Sequence, residues 1–315
     1  MKGIIITLSV FIGCTNPLAA CFNNYFTLDK KGQFHIEDDQ RTAFNKNFNK
    51  DLNVQRLQRL YAKLQKEHDY KYLSDYALCL AKLGKANEAL ELLKELYKHY
   101  PNEYRLAANL GTAYELCGQV DSALKYIKRD MALNLNDHLG SEWVHVKVLE
   151  TKLELKKNPD YLTGHTVLQL TEKQKNDSAV FHQLNLQVRE RFPFTQGPDA
   201  IMASLLTDLG DISANVQSIE FAKVCYQVAK KYYGDKSPAL DDKISTVQQL
   251  MKKYAAKEVM TTPIEADATN IKTGYISYEH MLDNNDTKHY TINWARINTN
   301  TGSLLQLVDF RKKPD

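Results

Sequence analysis

NLGTAYELCGQVDSALKYI, residues Asn109–Ile127, decides the fold. Its apolar positions recur at helical spacing, yet Gly111 and Gly118 interrupt it. Inside a helix a glycine costs roughly 1 kcal/mol against alanine. A helical stretch that keeps Gly111 among Ala108, Leu110 and Ala113 therefore needs a compensating contact. Gly118 falls where a first helix ends and a second begins, a position that favours a residue with positive φ.

The pattern repeats. Tyr76-Ala77-x2-Leu80-x3-Gly84-x4-Ala89-x3-Leu93 aligns with Leu110-Gly111-x2-Tyr114-x3-Gly118-x4-Ala123-x3-Ile127 at a constant offset of 34 residues. The first copy closes on Tyr100-Pro101, whereas Leu135 stands at that proline position in the second and Asp130 replaces its last small residue. Downstream, Leu206-x2-Leu209-Gly210 leads to Ala222-x3-Tyr226-x2-Ala229, with the same 12 residues between glycine and alanine. A fixed period of this length signals a stack of supersecondary units, each unable to bury its apolar face alone.

These positions resemble the tetratricopeptide repeat, with its Leu-Gly pair, aromatic, small residue and closing proline. The resemblance covers roughly residues 70–137 and 203–236. It implies a mainly α, helical-hairpin solenoid in which glycine on one helix and alanine on its partner let the backbones approach.

The remaining segments are placed around that frame. Leu52, Leu57, Leu60 and Leu64 predict a helix before the first clear repeat. Trp143, Val144, Val148, Leu149 and Leu153 predict the first helix of a degenerate third repeat, with His145 where a small residue belongs. Residues 158–176 read as an insertion, and Phe181 to Phe192 as the end of a second helix. Ser237-Pro238 opens a terminal helix over 237–255 whose stripe is Leu240, Ile244, Val247, Leu250 and Tyr254. The helical domain spans 51–255, after an N-terminal extension over 21–50. In the C-terminal segment, 256–315, Tyr290, Ile292 and Trp294 alternate with polar residues, as do Leu305 and Leu307. That alternation predicts a small antiparallel β hairpin, with Ile271 to Tyr278 able to add a strand; the alternative is a mobile tail.

The first 20 residues have a basic start at Lys2, an apolar run from Ile4 to Ile12 and small residues before Cys21, the outline of a bacterial-type secretory signal. Leu18-Ala19-Ala20-Cys21 also resembles a lipobox, which makes Cys21 a lipidation candidate; cleavage after Ala20 without lipid is the other reading. Cys79, Cys117 and Cys225 lie in helical runs and read as buried thiols. The apolar run is too short to span a bilayer, and no later one is longer.

Net charge is +3, from 41 basic and 38 acidic side chains, with no clustered excess for nucleic acid. No GxGxxG, GxxxxGK[ST], GxSxG or HExxH occurs, which weighs against an enzyme and against a cofactor. No cysteine–histidine spacing suits a metal. His138 and His145, seven apart, lack a third ligand and read as ordinary packing or surface histidines.

The resemblance implies a concave face, formed by the first helix of each repeat, that binds extended peptides or partner helices. Its positions here are Lys71, Ser74, Asp75, Leu78 and Lys82, then Arg105, Ala108, Asn109, Thr112 and Glu115, with Ser204, Thr207, Asp208 and Asp211 downstream. The family's clamp for C-terminal carboxylates is not carried over, because Ser74 and Leu78 break its Lys/Asn/Arg pattern. The expectation is an exported scaffold that binds a protein or peptide at the bacterial envelope. The alternatives are a lipid-anchored component of outer-membrane assembly, and a scaffold supporting a glycan-binding or enzymatic site around Trp143 or Trp294.

Overall fold

The structure, a computed structural model, describes residues 26–36, 50–255 and 292–312. Helix α1 (Lys50–Glu67) leads into three clear hairpins. These pair α2 (Tyr70–Lys82) with α3 (Ala86–His99), α4 (Tyr104–Leu116) with α5 (Val120–Leu133), and, further on, α9 (Ala200–Val216) with α10 (Ile219–Lys231). Between the second and last pairs lie α6 (Glu142–Lys157), the single turn α7 (Glu172–Lys175) and α8 (Ser178–Arg191), and α11 (Pro238–Ala255) packs on α10. The result is a helical-hairpin solenoid.

Gly111 has its compensating contact, and the neighbour is Ile127. A Cβ at Gly111 would lie 2.6 Å from Ile127 Cδ1 and 3.2 Å from its backbone nitrogen. In the last repeat a Cβ at Gly210 would lie 2.3 Å from the Tyr226 ring. Both partners stand 16 residues after their glycine, one turn beyond the expected Ala123 and Ala222. The alanines are fully buried but are not what the glycines accommodate. Gly84 and Gly118 have φ of 92° and 74°. At each, the next residue's N–H reaches back five residues along the chain: Lys85 to the Leu80 carbonyl and Gln119 to that of Tyr114, both 2.9 Å. This closure satisfies carbonyls that the helix end leaves unpaired.

A solenoid leaves an apolar edge at each end. Here each edge is covered by the opposite end of the chain. The hairpin of β1 (Phe26–Leu28) and β2 (Phe34–Ile36), antiparallel with Thr27 opposite His35, sits on the last repeat. Thr27 Oγ1 donates to the Gln217 carbonyl at 2.9 Å, Lys30 N to that of Ala214 at 2.7 Å, and Tyr254 Oη to that of Lys30 at 2.9 Å. At the other edge, residues 292–312 pack on α1–α3. Ile297, Leu304 and Val308 join the first repeat's core, and Tyr76 Oη donates to the Asn298 carbonyl at 2.6 Å. His68 holds the segment twice: Nδ1–H donates to the Leu307 carbonyl, and its own carbonyl accepts from Asp309 N.

The expected C-terminal hairpin is overturned. Residues 294–296 form a 3-10 turn and Thr301–Leu305 form helix α12. The two asparagines decide it. Asn298 Oδ1 accepts from Asn300 N at 3.0 Å, and Asn300 Oδ1 caps α12 by accepting from Ser303 N at 2.8 Å. Leu304 and Val308, four apart, then face the core together, as helical spacing allows and strand alternation does not. Residues 271–278, 1–20 and Cys21 lie outside the described residues. Cys79 and Cys225 are buried free thiols; Cys117 is only half-buried, with Sγ 3.3 Å from Asn87 Oδ1. Among the described residues no helix is long and apolar enough to cross a membrane.

Gly111→Ala is expected to destabilise the protein by about 1–2 kcal/mol, although alanine is the better helix former, because overpacking exceeds the propensity gain. Adding Ile127→Val removes the nearest methyl group, so the double variant should lose less than the sum of the single losses in urea unfolding. Leu304→Ala should cost about 2 kcal/mol. It should also raise amide exchange in α2 and α3 ahead of α9 and α10; uniform loss of protection would contradict a locally docked cap.

Candidate functional site

The first helices of the hairpins share one face of the solenoid, and a cavity of about 370 Å³ opens there. Leu78 and Lys82 of α2, Asn109, Thr112, Glu115 and Leu116 of α4, and Glu142, His145 and Lys152 of α6 form one side. The end of α8 and residues 194–199 form the other. Of the ten sequence-selected positions on α2 and α4, the cavity gathers Leu78, Lys82, Asn109, Thr112 and Glu115. The other five lie elsewhere, and Ala108 is buried. Ser74 is buried, its hydroxyl accepting from Asn109 Nδ2 at 2.9 Å. Asp75 pairs with Arg56 at 3.5 Å, and Arg105 is exposed, its Nε donating to Tyr104 Oη. Lys71 sits in the first turn of α2, where its backbone N–H caps on Asp69 Oδ1.

The downstream positions are not an open face at all. The insertion lies over them, burying Val167, Leu168 and Leu170 in the core of the last repeats. Ser204 Oγ accepts from Val167 N at 2.9 Å, and Asn215 Nδ2 donates to the Lys175 carbonyl at 2.8 Å. Asp208 is buried beneath this segment, and desolvation with Asp211 nearby pushes its carboxyl up to about 7. Asp211 accepts from Tyr226 Oη at 2.9 Å and pairs with Lys243. The repeat pattern locates these residues on the inner face, but only the path of the insertion shows that the chain occupies it.

At the inner end of the cavity a charged network joins α4, α6 and α8. Glu115 Oε1 meets Lys152 Nζ at 2.8 Å and Arg191 Nη1 at 3.0 Å, and Oε2 meets His145 Nε2 at 2.6 Å. His145 Nδ1 faces Glu142 Oε2 at 3.3 Å, and Glu142 Oε1 meets His138 Nδ1 at 2.6 Å. Glu115, Glu142 and His145 are all buried. Burial opposes ionisation of the two carboxyls, but their cationic neighbours win and hold both well below the usual range. His145 is raised: burial and Arg191 oppose its charge, and the two glutamates outweigh them. His138 is pushed up to about 9, first by its bond to Glu142. Its backbone is left-handed, φ 46°, as is that of Leu139, φ 61°.

The two histidines are thus not isolated packing residues. Glu142, between them in sequence, links them, and no group of metal-binding side chains forms among the described residues. The signal available in the sequence was Glu142 at three residues before His145 and four after His138. Nothing in it shows that Glu115, 30 residues earlier, closes the network. Asp130, at the repeat's small position, is fully buried, and among the described residues neither carboxylate oxygen has a hydrogen-bond partner. Burial, with Glu142 and Asp137 nearby, pushes its carboxyl up to about 8. Trp143 instead packs outward against α8, its Nε1 donating to Gln183 at 2.8 Å, and Trp294 lies under Lys85 on the first repeat. Neither lines the cavity, whose aromatic is Phe194.

Residues 80–139 match the tetratricopeptide repeat family. The matched stretch runs from the end of α2 through α5, the region carrying Gly84, Gly111 and Gly118. Comparison with curated proteins and with solved structures gives no match.

The raised Asp130 carboxyl fixes the sign of a pH effect. The folded chain keeps a proton that the unfolded chain releases near pH 4, so stability is lost as pH rises from there to about 8 and then levels. Asp130→Asn removes that loss. Its stability relative to wild type should grow steadily between pH 4 and pH 8, by up to about 5 kcal/mol on simple linkage, in chemical unfolding, and a pH-independent difference would contradict the assignment.

Proposed function

We propose that this protein is an exported scaffold that holds a protein or peptide partner at the bacterial cell envelope. The observation that carries the reading is the inner-face cavity, where Lys82, Asn109, Thr112 and Glu115 of successive tetratricopeptide hairpins converge. Tetratricopeptide repeats generally mediate protein–protein contact, and the helices supporting this surface are already packed, so binding pays little ordering entropy. A non-catalytic role is supported by the network itself. Both ring nitrogens of His145 are engaged by carboxylates, which leaves no lone pair for base chemistry.

Export rests on the leader-like outline of residues 1–20, and anchoring rests on Cys21 within Leu18-Ala19-Ala20-Cys21. In the lipid-anchored reading the scaffold serves an assembly machine of the outer membrane. Both readings need the leader removed.

Intact-mass measurement of protein isolated from its own host should give a chain beginning at Cys21, with or without acyl groups. A chain retaining Met1–Ala20 would sink the export reading. For the binding face, the triple variant Lys71→Glu, Lys82→Glu, Arg105→Glu is expected to lose a cross-linked envelope partner at least tenfold in quantitative mass spectrometry. A triple reversal on the opposite face, at Lys98, Lys128 and Arg129, should retain it. Equal loss from both variants would sink the concave-face reading.

A further inference from the structure

We propose that the insertion is a resident ligand: residues 165–170 occupy a peptide site on the inner face of α9, and a non-helical apolar segment of a partner protein displaces them. The inference goes beyond the cavity, which no residue of α9 lines. It concerns the inner face of the last hairpin, where the chain itself shows what that face holds.

The segment sits on α9 as a bound peptide sits on a helix face. It is neither helix nor strand, and residues 165–170 form no backbone–backbone hydrogen bond among the described residues. Contact with α9 holds it instead. Val167 N donates to Ser204 Oγ at 2.9 Å, and Leu168 N–H faces the Asp208 carboxyl one helical turn along. Val167, Leu168 and Leu170 enter the core, whereas residues 163–166, Gln169 and residues 171–173 are exposed. Backbone N–H groups taken up on two successive turns, beside pockets for apolar side chains, are the means by which a surface recognises a peptide segment.

Two features make the resident segment an imperfect fit. Gln169, between the two buried leucines, has φ 48°, a left-handed backbone that is costly for a residue with a side chain. Asp208 Oδ2 is buried and has no hydrogen-bond partner among the described residues, a second cost. A partner segment without the flanking attachments escapes the first. One that brings a hydroxyl, amide or ammonium donor removes the second. The ligand class is therefore an apolar peptide segment with one donor side chain. Release is local: it gives up three apolar side chains and few hydrogen bonds, and it restores chain freedom without unfolding α9.

Two measurements on the full chain test this. In native-state hydrogen exchange of the wild-type protein, the Val167 and Leu168 amides should exchange at least a hundredfold faster than the central amides of α9, with little dependence on low urea. Protection equal to that of α9 overturns the proposal, because the insertion then leaves only when the whole protein unfolds. The second measurement is calorimetric titration with the end-blocked peptide of residues 164–172. The triple variant Val167→Ser, Leu168→Ser, Leu170→Ser should bind it at least a hundredfold more tightly than wild type, whose own insertion competes at the high effective concentration of a tethered segment. The same peptide N-methylated at Val167, lacking the N–H that Ser204 accepts, should bind at least tenfold more weakly. Equal binding by the two proteins, no binding by the folded variant, or indifference to N-methylation overturns the proposal; where the triple variant does not fold, the exchange result decides. Capture through Lys71, Lys82 and Arg105 is read separately, so failure here leaves the scaffold reading standing, and failure there leaves this site standing.

Discussion

The close approach of two helices at a glycine sets the geometry of everything else in this molecule. At Gly111 the space that a Cβ would fill belongs to Ile127, and at Gly210 it belongs to the Tyr226 ring. Large side chains seated against bare backbone bring each helix pair together at a separation that a longer residue would not allow. The first repeat has Ala77 at the corresponding position, with Leu93 opposite, so a one-carbon side chain is accepted there. Close pairing in turn stacks the hairpins in register. That register places first helices side by side and produces the inner face and its cavity.

The third pair departs from the pattern, and its departure is where charge enters the interior. His145 stands at a position meant for a small residue and is buried between Glu115 and Glu142. Taking such groups out of water costs several kcal/mol each, and only close pairing offsets it. The pairing here is close, 2.6 to 3.3 Å along the chain of contacts from Glu115 to His138. Asp130 has no such pairing among the described residues, and burial raises its carboxyl instead. Substituting polar for small residues thus gave up packing and created a charged wall between the second hairpin and α8.

Both apolar ends of the stack are closed by the chain itself, with the ends exchanged. The N-terminal hairpin lies on the last repeat and residues 292–312 lie on the first. The insertion does similar work part-way along, covering the inner face of α9 with Val167, Leu168 and Leu170. Among the described residues, the inner surface left uncovered is therefore the section from α2 to α6.

What the sequence determined by itself was local. Residue spacing fixed the hairpins, because a 34-residue period, glycines at turn and contact positions and the apolar stripes are properties of neighbouring residues along a helix. It also singled out Lys82, Asn109, Thr112 and Glu115, since position within a repeat dictates which way a helix face points. What only the tertiary structure decided were contacts between residues far apart in the chain. Ser74 faces Asn109, Ser204 is covered by Val167, and Glu115 meets Arg191 after 76 residues. The C-terminal segment shows the reason most plainly. Its alternation of apolar and polar residues suited a strand, but Asn300 could cap a helix, and only docking on Tyr76 and His68 made the helical arrangement bury Leu304 and Val308. Local patterns state what a segment can form; the surface it packs against selects which of those forms buries the most apolar area and satisfies the most backbone groups.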